Sequence, residues 1–68
     1  MKAWIDAENA AQAIAFPFHI VFNRSEAVEL NENNAHEVLR AAEGSYRDYT
    51  WRVEKVREGV YIVEGTQK

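Results

Sequence analysis

The alternation of apolar and polar positions divides this chain into one helix and several strands. From Glu32 to Glu43, the residues Ala35, Val38, Leu39 and Ala42 follow the i, i+3, i+4, i+7 spacing of a single apolar stripe. Asn31 stands where a side-chain oxygen caps the first turn. Glu32 carries negative charge at the positive end of the helix dipole, and Gly44 falls where a left-handed C-terminal residue belongs. A helix over 32–43 is predicted.

Strands flank it. Lys2 to Asp6 reads as a short strand carrying Trp4. Phe18, Ile20 and Phe22 alternate with His19 and Val21, and Ala27 to Leu30 is predicted to return as a second short strand after an Asn23–Glu26 loop. Tyr49 to Glu54 alternates as a half-buried strand does. Val56 to Gly59 then makes a turn, Val60 to Glu64 pairs back, and Gly65 to Lys68 is expected to fray. The alanine-rich stretch 7–15 favours a short N-terminal helix, which Pro17 ends. Glu8–Ile14 echoes Glu32–Val38 at a fixed offset, which two helix starts of the same kind explain. The fold class is α+β: one main helix (32–43) packed on a four- to five-stranded antiparallel sheet, within a single domain over 1–68.

Composition narrows the function. The 68 residues are 47% hydrophobic, enough for one core, with no cysteine for a disulfide or a thiolate zinc site. Asp6 and Glu8 interrupt any signal-peptide core, and the apolar run 13–18 falls short of the ~20 residues that a membrane span needs. The expected location is therefore the cytoplasm, without membrane attachment. Net charge is −3, which weighs against coating DNA. The acidic excess lies in residues 1–45, and residues 46–68 are slightly basic.

Candidate chemistry is sparse. Glu32 and His36 lie one turn apart, but a zinc site needs a third protein ligand. Ser25 and Ser45 suit turns and helix ends. The three glycines are isolated rather than gathered into a phosphate loop. No catalytic residue, metal site or cofactor is assigned, and an enzyme is not expected. Arg47, Arg52, Lys55 and Arg57, interleaved with Tyr46, Tyr49 and Trp51, suggest a single-stranded nucleic-acid platform, diluted by Asp48, Glu54 and Glu58. A single helix covers one sheet face. Large groups are expected on both faces, Trp51 with Tyr61 and His19 with Val21, so the second face is covered either by the N-terminal segment with Trp4 or by a protein partner.

The run Val28-Glu29-Leu30-Asn31-Glu32, the helix after it, Thr50-Trp51-Arg52-Val53-Glu54-Lys55-Val56 and Gly59-Val60-Tyr61-Ile62 together resemble small phage-borne anti-CRISPR proteins of the type I inhibitor class. The resemblance covers about residues 27–64 and is most specific in the final hairpin. This chain is more acidic and begins with a different N-terminal segment. The resemblance implies a non-enzymatic inhibitor, acting in a bacterial host cell, that binds a CRISPR effector complex. Acidic members of such families occupy the channel meant for DNA. Partner-binding residues are then expected among Glu26, Glu29, Glu32, Glu37, Asp48, Tyr49, Trp51 and Tyr61, in a monomer or homodimer. The alternative is a small nucleic-acid-binding or regulatory module built on the Arg47–Arg57 stretch.

Overall fold

A computed structural model describes residues 1–6 and 19–68. Four antiparallel strands form one sheet in the order β2-β1-β4-β3, where β1 is Lys2–Ile5, β2 Ile20–Val21, β3 Tyr49–Arg57 and β4 Val60–Gln67. One helix, α1 (Glu32–Ser45), packs on it. The α+β arrangement expected from the sequence is the arrangement found. The predicted helix over 7–15, the residues Phe16 to Phe18 and the first half of the internal echo lie outside the described residues.

The helix begins as its sequence dictates. Asn31 is extended, and its side-chain oxygen accepts from the Asn34 N–H at 2.8 Å. Ala35, Val38 and Ala42 are fully buried, with Leu39 and Ala41 half-buried beside them. The end differs from expectation. Gly44 is helical, and Tyr46, not a left-handed glycine, closes α1 by donating its N–H to the Ala42 carbonyl at 2.8 Å.

Two strand expectations are corrected. Ala27 to Leu30 forms no hairpin with β2. Ala27 bridges Asp6 and Leu30 bridges Tyr61, so this segment continues the row beside β4 that β1 leaves. The preceding loop is a 3-10 turn, Arg24–Glu26, capped by Asn23, whose carboxamide oxygen accepts from the Ser25 N–H and hydroxyl. Of the predicted 18–22 strand, residues 19–22 are described: Ile20 and Val21 pair with β1, and Phe22 is 57% exposed. The C-terminal residues do not fray. Gly65, Thr66 and Gln67 belong to β4, which is hydrogen-bonded on both sides, to β1 and to β3. Backbone bonds Gln67 N–H to Met1 O and Lys68 N–H to Asp48 O extend that pairing.

The hairpin fixes the faces. Gly59 takes φ +78° in the two-residue connection Glu58-Gly59, and an extra residue between Lys55 and Arg57 shifts the register. Beyond that bulge Trp51 lies opposite Gly65, and Gly65 opposite Ala3. A Cβ added at Gly65 would meet the Trp51 ring at 2.6 to 2.8 Å. Gly65 is there because the indole lies flat against β4.

Gly65→Ala therefore drives a methyl group into a rigid, buried ring. We expect a loss of about 1–3 kcal/mol, read as a lower urea midpoint with an unchanged slope.

Candidate functional site

Trp51 joins the helix to the sheet. It is 5% exposed, donates its indole N–H to the Tyr46 carbonyl at 3.0 Å, and packs against the rings of Tyr46 and Tyr49 at centroid distances of 6.1 and 5.6 Å. Tyr49 and Tyr61 are half-buried against the same core. The three aromatic residues singled out from the sequence therefore share the helix side, because the register sets Tyr61 opposite Lys55 and in phase with Trp51. They do not lie on two faces. Burial also pushes the Tyr46 phenol above its ordinary value.

The opposite sheet face carries Trp4, Val21, Arg52, Glu54, Ile62 and Glu64, aligned by the pairs Trp4–Val21, Trp4–Glu64, Arg52–Glu64 and Glu54–Ile62. At its centre Glu64 is a buried carboxylate, 5% exposed. Arg52 donates to Glu64 Oε1 from Nε at 3.1 Å and from Nη2 at 2.8 Å, and Lys2 Nζ stands 3.7 Å from the same oxygen. Beside it the buried indole N–H of Trp4 has no hydrogen-bond partner among the described residues. Sequence reasoning did not find this cluster. Its signal was a lone glutamate ending the apolar run Tyr61-Ile62-Val63, with an arginine on the facing strand.

The basic stretch is largely neutralised. Arg52 is held by Glu64, Lys55 pairs with Glu58 at 3.3 Å, and Arg57 grips Glu29 through two bonds of 3.1 and 3.2 Å. Arg47 instead lines a shallow cleft of about 310 Å³ with Glu43, Tyr49, Thr50, Trp51 and Lys68.

The acidic candidates separate by position. Glu29 is tied to the hairpin end by Arg57. Among the described residues Glu26, Glu32, Glu37 and Glu43 are exposed and make no ion pair. Glu32, Glu37 and Glu43 share the solvent side of α1 with Asn33, His36 and Arg40. Asp48 stands apart, beyond the helix C-terminus, where its carbonyl accepts from the Lys68 N–H. A fourteen-residue helix is about 21 Å long, so the five acidic residues chosen from the sequence do not form one patch.

Among the described residues no group of three His, Cys, Asp or Glu side chains is placed to hold a metal ion, and His36 Nδ1 lies 2.9 Å from the Glu32 carbonyl. Among the same residues no helix is long and apolar enough to cross a membrane. Compared with known proteins, the chain matches no family model, no curated relative and no solved structure.

Two measurements test this geometry. Arg52→Met strands the Glu64 carboxylate beside the more distant Lys2, and we expect a loss of roughly 2 kcal/mol, below the range for fully buried pairs because Arg52 is half-exposed. Arg52→Met with Glu64→Leu should regain most of it, checked by urea unfolding. The raised Tyr46 pKa means that the unfolded chain ionises first, near pH 10. Its contribution is complete below that pH and is lost as pH rises above it. Melting temperatures across that range should fall less steeply in Tyr46→Phe.

Proposed function

We propose that this chain is a small non-enzymatic inhibitor that binds a protein partner through the acidic solvent side of α1. The partner we infer is a CRISPR effector complex, whose DNA-binding groove the acidic helix would occupy. One observation carries this reading: among the described residues Glu26, Glu32, Glu37 and Glu43, on α1 and its approach, make no ion pair, while Arg52, Lys55 and Arg57 are each matched to a carboxylate. With Glu32, Glu37 and Glu43 against Arg40, the solvent side of α1 carries a net charge of −2, compared with −3 for the whole chain. A negative helix face complements a groove lined with Lys and Arg and speeds the encounter with it.

The same pairing disfavours the Arg47–Arg57 stretch as a nucleic-acid platform. Trp51 is buried against α1, and Tyr46 and Tyr49 are half-buried against the same core, which leaves little open ring face for bases to stack on.

The test is inhibition of target-DNA binding by a purified type I effector complex, followed by gel shift. Glu32→Lys with Glu37→Lys should raise the concentration needed for inhibition at least tenfold, and the loss should shrink as salt is added. Both side chains are exposed, so the far-ultraviolet circular dichroism should stay that of the parent. Undiminished inhibition by the folded double variant would refute the acidic helix as the contact. Absence of inhibition by the parent chain would refute the effector as partner.

A further inference from the structure

Among the described residues β3 has one sheet neighbour, β4, so its other side is a free edge. The outward groups on that edge follow from β4. Tyr61 exchanges both main-chain bonds with Leu30, at 2.8 Å in each direction, so its N–H and C=O point away from β3. Tyr61 lies opposite Lys55. In an antiparallel ladder a pair not bonded to each other turns its polar groups outward on both strands. With a period of two, Trp51, Val53 and Lys55 present their N–H and C=O groups on the free edge, while Arg52 and Glu54 direct theirs to β4.

We propose that β3 pairs with β3 of a second copy, antiparallel, about a two-fold axis through Val53, joining the two sheets into one of eight strands. Val53 then bonds to Val53 of the other copy, and Trp51 and Lys55 exchange bonds with Lys55 and Trp51. The same axis sets Arg52 opposite Glu54 of the second copy, and Glu54 opposite its Arg52. Both pairs fall at non-hydrogen-bonded positions, where facing side chains are closest. The strand is self-complementary in charge in this register. An axis through Arg52 would oppose two arginines, one through Glu54 two glutamates, and one through Trp51 would set Arg52 against Thr50. The bulge beyond Lys55 stops further sliding.

The side chains are ready for this pairing. Arg52 is 57% exposed and Glu54 39%, and among the described residues the only ion pair of Glu54 is a loose 3.6 Å contact to Arg52 Nη2. Arg52 Nη1 takes no part in the bonds to Glu64. The proposal stands on β3 alone and does not depend on the inhibitor reading.

Sedimentation and light scattering of the whole chain, from low micromolar to millimolar concentration, should show a mass rising toward twice the 7.8 kDa of one copy. Glu54→Arg, which opposes arginine to arginine across the axis, should remain a monomer over that range with unchanged circular dichroism. In the unsubstituted chain, amide exchange gives a second reading that needs no variant. Protection at Val53 and Lys55 should rise with concentration, while Arg52 and Glu54, already bonded to β4, should not change. A parent chain that stays monomeric overturns the proposal. So does a dimer that survives Glu54→Arg, or one in which the β3 amides gain no protection.

Discussion

The fold depends on an indole lying flat on a glycine. Trp51 covers the β4 backbone at Gly65, where a Cβ would come within 2.6 Å of its ring, and donates its N–H to the carbonyl that follows α1. One side chain thereby fixes three things: the distance between strands and helix, the point where α1 stops, and the register of the hairpin. Gly65 is the least strand-like residue of β4 by propensity, yet it stands at the centre of the sheet because its missing side chain makes the space.

That register has a cause in the extra residue between Lys55 and Arg57. Without it the hairpin would pair one position out of step, and a one-residue slip turns every side chain to the other face. Val53 would then oppose Glu64, and Trp51 would oppose Thr66. The bulge brings the large ring to the glycine and the arginine to the carboxylate in one move. On the helix side this completes an apolar core. On the other side it places a buried carboxylate under a guanidinium whose two bonds of 2.8 and 3.1 Å offset the loss of water.

The sequence made α1 legible because its signals are local: Asn31 as cap, and Ala35, Val38 and Ala42 at helical spacing. It made the strand character of β3 and the β4 core legible by alternation. What it concealed is non-local. Gly65-Thr66-Gln67 carries no apolar pattern, and its strand conformation comes from pairing with Lys2 to Trp4, at the far end of the chain. The face of Tyr61 depends on the bulge, so Trp51 and Tyr61 were expected on two faces and are found on one. Gly44 resembles a helix stop, but the Tyr46 carbonyl, held by Trp51, decides where α1 closes. Of the candidate contact residues the sequence identified acidic exposed positions such as Glu32 and Glu37. It could not separate them from Glu29, because the Arg57 that ties Glu29 lies 28 positions away.

The distribution of charge follows from the same geometry. Strand cations meet carboxylates because a hairpin lays residues of opposite sign side by side, as with Arg52 and Glu64, or brings its tip to the loop before the helix, as with Arg57 and Glu29. The outer side of α1 is exposed, and among the described residues no strand side chain pairs with Glu32, Glu37 or Glu43. Folding therefore converts a mild excess of acid along the chain into an uneven surface, with matched charge on the sheet and an excess of Glu32, Glu37 and Glu43 over Arg40 on the helix. A molecule with that asymmetry is oriented by a basic partner before contact, because the attraction acts across a Debye length of several ångströms while packing acts only at touch.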